Sequence, residues 1–322
     1  MTAMKIKPKK SWFLWAVVGL IAGGMLAWQT RRTVDATVVD APTASIPADN
    51  LSPEAEAAAL AERCRETAAA LQTRLDPTFS VLVEPPFVAA GNMRKADLAA
   101  HLEQAVLRPA AAMRRAYFTG GPGEPITVLL LTDRGVRPGE DKDPGYAYRG
   151  WAEKLFGDRD VGHHGYYKAA PRTMVMNIDT GDGTLVHELT HALIAEDFPH
   201  PPDWFNEALA TLHEQCRVEE DDIIGLPNWR LAALREAVEA GTLRPLADLV
   251  TKDDFRGPLE GMNYAQARYF AMYMQHRGKL RDFYAHYRTH RENAAAAIEH
   301  VLGERIDVVE NAFIAWVGTL QE

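Results

Sequence analysis

Two histidines four residues apart, in His187-Glu188-Leu189-Thr190-His191, constrain this chain more than any other feature. Residues i and i+4 share one face of an α-helix, so a helix here turns both imidazoles toward a single point. Leu185, Val186, Leu189 and Leu193 supply an apolar back face for it. Glu188, between the imidazoles, is placed to take a proton rather than to ligate. Upstream, Arg172–Ile178 (RTMVMNI) reads as a strand, broken by the turn Asp179-Thr180-Gly181-Asp182-Gly183. The HExxH helix therefore follows a strand and a turn.

Two imidazoles are an incomplete metal site, because a catalytic zinc takes three protein ligands and an open position. Sixteen residues after His191 comes Glu207, within Trp204-Phe205-Asn206-Glu207-Ala208-Leu209-Ala210. Asp203 is a candidate N-cap, which places Glu207 in the first turns of a second helix, facing back toward the first. The Pro- and His-rich segment 197–203 is a suitable connection. The residues alone also admit a plain polar helix face at 187–191 and a solvated or capping carboxylate at Glu207.

The rest of the body supports a mixed fold. Pro53 to Leu75 reads as an alanine-rich helix, capped at Ser52 with proline at its first position. Phe79–Val83 and Phe87–Ala90 are short β-rich runs, and Ile126–Thr132 is the clearest strand. Lys95–Tyr117 predicts one long amphipathic helix bent at Pro109. Residues 133–172 read as a long excursion with one short helix near Tyr146–Phe156. Beyond 183 only helices are expected, over 184–196, 204–216, 228–240, 262–277, 279–290 and 305–319.

Composition narrows the function classes. The chain has 322 residues, enough for a substantial core, and 47% hydrophobic with 25% charged residues is ordinary globular chemistry. The formal charge is -9, from 35 Lys+Arg against 44 Asp+Glu. Six of the basic residues and no acid fall in 1–32, leaving 29 basic against 44 acidic residues elsewhere, or -15. A body that acidic repels a phosphate backbone, so nucleic acid is excluded as a general partner. Two cysteines exclude a multi-Cys cluster. Cys64 and Cys216 leave two alternatives open, one disulfide or two buried thiols. Glu219–Asp222 (EEDD) reads as a solvated acidic turn.

Trp12 to Trp28 is a seventeen-residue run without charge, roughly 26 Å long as a helix, with lysines before it and arginines after. It is expected to be a signal anchor: residues 1–32 form a cytoplasmic tail and transmembrane segment, 33–52 a linker, and 53–322 an extracytoplasmic domain in the cell envelope. A cleaved signal peptide is the competing reading.

The stretch GTLVHELTHALIAEDFPHPPDWFNEALATLHE (183–214) resembles the gluzincin metallopeptidases, most closely the peptidase-MA-like domains of bacterial envelope proteins, distant relatives of thermolysin and aminopeptidase N. A weaker likeness runs from FVAAGNMRKADL (87–98) to YAQARYFAMYMQHRGK (264–279). The family commonly has glycine after the third ligand, where this chain has Ala208. The resemblance implies an α+β, zincin-like fold, with a small mixed sheet in 53–183 whose edge strand precedes the active-site helix and a mostly helical part in 184–322. It implies Zn2+ held by His187, His191 and Glu207, with Glu188 as general base for hydrolysis of a peptide or protein substrate. It makes Tyr264 the first candidate for the oxyanion donor, with His163, His164, His200 and His213 as rivals. It also makes Met174–Ile178 the edge strand on which an extended peptide lies. Nothing in the chain marks a grip for a free amino terminus, which favours an endopeptidase over an exopeptidase. The alternative is a zinc-binding or regulatory protein of the same fold that hydrolyses little.

Overall fold

A computed structural model describes residues 52–134, 145–162, 164–220, 222–291 and 293–321. It opens with α1 (Pro53–Gln72), where Ser52 Oγ accepts the Ala55 N–H and Pro53 occupies a position that needs no donor. Strands β1 (Ser80–Glu84) and β2 (Phe87–Gly91) form a hairpin. The next stretch holds α2 (Lys95–Leu102), a π-helical turn over Glu103–Leu107 and α3 (Arg108–Ala116). The expected single helix is thus present with its bend. Pro109 cannot donate to the preceding turn, and a wider π turn just before it absorbs the mismatch.

Strand β3 (Ile126–Leu131), helix α4 (Tyr146–Phe156), and strands β4 (Gly165–Ala169) and β5 (Arg172–Asn177) complete a five-stranded sheet in the order β1-β2-β3-β5-β4. Its centre is parallel and its two outer strands are antiparallel to their neighbours. Alternate residues face opposite sides. Val88, Ala90, Leu129, Leu131 and Val175 pack with Cys64 and Leu71 of α1 and Tyr148 of α4. Ala89, Val128, Leu130, Met174 and Met176 join the larger core with the helical half.

The expectation that Met174–Ile178 is the edge strand is corrected. β5 lies between β3 and β4, and all but its first residue are buried, as suits a strand covered on both faces. The edge on this side of the sheet is β4, a strand placed inside what the sequence reads as an excursion. Its Gly-Tyr-Tyr-Lys-Ala has no apolar alternation to announce it, and pairing with β5 forms it.

Past the sheet come α5 (Gly183–Asp197) and α6 (Asp203–Glu214), then an unexpected hairpin of β6 (Cys216–Glu219) and β7 (Asp222–Gly225). The acidic turn caps that hairpin, with Glu220 in a left-handed conformation at φ 47° and Asp221 outside the described residues. The helices α7 (Arg230–Glu239), α8 (Leu246–Thr251), α9 (Glu260–His276), α10 (Leu280–Thr289), α11 (Ala294–Leu302) and α12 (Ile306–Thr319) follow, of which α8 and α11 are additions to the expected set. The result is an α+β fold with one mixed sheet and a helical C-terminal half. Both cysteines are free, Cys64 against one face of the sheet and Cys216 in the other core.

The membrane anchor is also corrected. No helix among the described residues is long and apolar enough to cross a membrane. Spanning takes about 20 apolar residues in one helix, and α1, the one described helix of that length, is built from Ala, Glu and Arg. Residues 12–28 and the tether up to residue 51 lie outside the described residues. Single-pass anchoring, the cytoplasmic membrane as a partner and the extracytoplasmic location that followed from them are not supported.

The close crossing of α5 over the end of α6 depends on one small residue. A Cβ on Gly183 would stand 2.6 Å from the Glu214 carbonyl oxygen, a backbone atom that cannot swing aside. Gly183→Ala is expected to destabilise the fold by about 1–3 kcal/mol through this overlap, measured as a shift in the urea midpoint against the parent chain.

Candidate metal centre

Helix α5 buries Leu185, Leu189 and Leu193 in the core, and this fixes its rotation. The same rotation sets His187, Glu188 and His191 on a common side, with His187 and Glu188 each only 8% exposed. Helix α6 packs against α5, held by Trp204, Phe205, Leu209 and Leu212. Phe205 sits inside an aromatic cluster with Phe198, Phe283, Tyr284 and Tyr287. That cluster sets how far α6 reaches along α5, and thus where Glu207 stands. Helix α6 starts at Asp203, which is its first residue rather than its cap, and Pro202 takes the cap position.

Three potential donor atoms converge. The His187 and His191 Nε2 atoms are 3.1 Å apart, and Glu207 Oε2 lies 3.5 Å from the first and 3.6 Å from the second. Glu207 is 1% exposed, and its Oε2 has no hydrogen-bond partner among the described residues. A buried carboxylate oxygen left without a donor is costly. Ligands on a tetrahedral zinc at about 2.0–2.2 Å stand roughly 3.3 Å from one another, which matches the three separations. Among the described residues His187, His191 and Glu207 form the one group of three such side chains close enough to hold a metal ion.

The electrostatics point the same way. Burial opposes a charge on His191, but the Glu207 carboxylate outweighs it and pushes the imidazole up to about 9. Burial likewise opposes ionisation of Glu207, and the two imidazoles still hold it well below the usual carboxylate range. The cluster thus stabilises positive charge where its lone pairs meet, and a proton there does what a cation would do. Burial pushes the Glu188 carboxyl up, against the pull of His187 and His191 and a hydrogen bond from the Tyr167 backbone N–H. The β4–β5 ladder alternates, and Tyr167 turns that N–H away from β5 and toward α5.

Two supporting residues escape sequence reading. Asn206 Oδ1 lies 3.0 Å from His191 Nδ1 and accepts its N–H, which leaves Nε2 bare for a ligand bond. Its position directly before Glu207 was the available signal. Arg256 Nη2 donates to Glu207 Oε1 at 2.6 Å, from a loop 49 residues away that no local pattern connects to the site. The structure also brings Tyr264 to the cluster. Its hydroxyl accepts from Arg256 Nη1 at 2.9 Å, and burial together with the nearby Glu207 carboxylate pushes its phenol up.

The rival histidines are elsewhere. His164 and His200 are exposed, the latter in a left-handed turn between α5 and α6, and His163 lies outside the described residues. His213 is fully buried and meets Thr190 Oγ1 through Nδ1 at 3.2 Å. Thr211 donates to the Glu207 and Ala208 backbone carbonyls, as a threonine within a helix does, rather than to the Glu207 carboxylate.

No family model matches this chain, and no curated protein or solved structure does either. The site therefore rests on its own chemistry.

His213 makes the core sensitive to acid. Burial, then the charge of Arg268, pushes its imidazole down to about 3, against an ordinary value of 6.5. The unfolded chain binds this proton below pH 6.5 and the folded chain does not. The stabilisation is complete above pH 6.5 and is lost progressively as the pH falls toward 3. Urea unfolding at pH 6.5 and 5.0 is expected to show the parent chain losing about 2 kcal/mol more than His213→Gln over that interval.

Proposed function

We propose that the protein is a zinc-dependent peptidase with a zincin-like fold, and that His187, His191 and Glu207 hold the metal. The observation that carries this reading is the unpartnered, buried Glu207 Oε2, which converges with two imidazole Nε2 atoms at tetrahedral separations. Two imidazoles and one carboxylate are a donor set suited to zinc, and three protein ligands leave a position for water. A zinc ion bound there supplies a Lewis acid that lowers the pKa of its water to about 7 and polarises a carbonyl oxygen.

The chain's own groups do the rest. Glu188 stands beside the ligands and is not one of them. Its carboxylate accepts a proton from the attacking water and returns it to the leaving amine. Tyr264, whose phenol burial holds above its ordinary range, keeps its proton at neutral pH and serves as the hydrogen-bond donor to the carbonyl oxygen as charge develops there. Strand β4, at the margin of the described sheet and next to α5, offers its other outward backbone groups to an extended peptide, the Tyr167 N–H being committed to Glu188. Such pairing grips the main chain and makes little demand on side chains, as a peptidase of broad sequence tolerance requires.

Elemental analysis of the purified chain is expected to find about one zinc per molecule, lost in His187→Ala, His191→Ala and Glu207→Ala. No zinc in folded, metal-refilled parent protein sinks the proposal. Glu188→Gln should keep the metal and lose peptide hydrolysis by about 10²–10⁴-fold. A zinc-loaded parent that cleaves nothing in a peptide library favours a zinc-binding protein without turnover. Tyr264→Phe should retain zinc and lower kcat by roughly 10²-fold with little change in KM; equal turnover would remove Tyr264 from the mechanism.

A further inference from the structure

The guanidinium of Arg256 is more closely engaged with the ligand set than a surface arginine has reason to be. It belongs to the segment between α8 and α9, away from both ligand-bearing helices. Nη2 donates to Glu207 Oε1 at 2.6 Å, Nη1 to the Tyr264 hydroxyl at 2.9 Å, and Nε to Asp203 Oδ2 at 3.2 Å. Glu260 Oε1 stands 3.8 Å from Nη1. A planar fork engaged at three of its nitrogens has little freedom to turn. The two oxygens of Glu207 are thereby made unequal: Oε1 is committed to Arg256, and Oε2, without a partner, faces the imidazoles.

This inequality matters for a metal. A glutamate can bind through one oxygen or chelate through both, and chelation uses a coordination position that a catalytic site keeps for water. We propose that Arg256 is the positioning residue that restricts Glu207 to one-oxygen ligation and so keeps the water position open. The inference rests on the zinc reading of the triad and adds to it a reason for an arginine in the second layer. Arg256 does not serve as a receptor for an anionic substrate group, because Glu207, Asp203 and Glu260 already surround its single charge.

The test is the mode of carboxylate binding in zinc-loaded crystals of the full chain and of Arg256→Met. In the parent, zinc is expected on Oε2 alone, with Oε1 still on Arg256. In Arg256→Met, Oε1 is expected to move onto the metal. The cobalt-substituted variant should then show weaker visible absorption than the cobalt-substituted parent, as its coordination number rises. Both oxygens on zinc in the parent would overturn the proposal without any variant. One-oxygen binding retained in Arg256→Met would overturn it as well, and so would a folded Arg256→Met that binds no zinc, since Arg256 would then hold the site together rather than choose the oxygen. A parent that binds no zinc defeats the metal site itself, a different failure from either of these.

Discussion

A carboxylate buried to 1% exposure has to be neutralised, and the neutralisation of Glu207 ties this structure together. Stripping such a group of one partner costs about 3–5 kcal/mol, so the elements carrying its partners are held to one another through it. His187 and His191 approach from α5, Arg256 from the loop before α9, and Tyr264, on α9 itself, holds that arginine. These are three separate segments, and the charge balance closes only when all of them dock. The remaining oxygen faces two imidazoles and has no hydrogen-bond donor of its own, which is why the proposed metal site is placed there.

The apolar packing explains why this balance can be struck with ångström accuracy. Helix α5 lies against the sheet with its leucine face down, and α6 lies against α5 through Phe205 and its ring neighbours. Both helices are buried on the sides away from His187, His191 and Glu207, so their rotations are set by the core rather than by those side chains. Asn206 then sets the tautomer of His191 without disturbing that packing. On the sheet side, the order β3-β5-β4 puts a single antiparallel strand at the margin, next to the helix that bears Glu188. Polar chemistry is thus confined to the seam between a parallel sheet core and a helical body.

Much of this was legible in the residues. The HExxH spacing, the apolar back face of its helix and the Glu207 helix that follows are local patterns, and local patterns determine which face of a helix a side chain occupies. The strands at 87–91, 126–131 and 172–177 were equally readable, because strands covered on both faces must be apolar throughout. Strand β4 and the β6–β7 hairpin were not. Gly165-Tyr166-Tyr167-Lys168-Ala169 and Cys216-Arg217-Val218-Glu219 have no signature of their own and are extended only because a partner strand lies alongside. The apolar run at 12–28 lies outside the described residues, and no described helix is long and apolar enough to cross a membrane.

The sequence by itself determined the helical pairing of two imidazoles with a glutamate between them, and the offer of a second glutamate one helix later. Those facts depend on spacing within a helix, which 3.6 residues per turn dictates whatever the rest of the chain does. Tertiary structure alone decided that the sheet edge is β4 rather than β5, that His213 is a buried partner of Thr190 rather than a site residue, and that Arg256 stands on one oxygen of Glu207. Each of these is a contact between residues far apart in the chain. Its geometry follows from how helices and strands pack, and no periodicity along the chain records that.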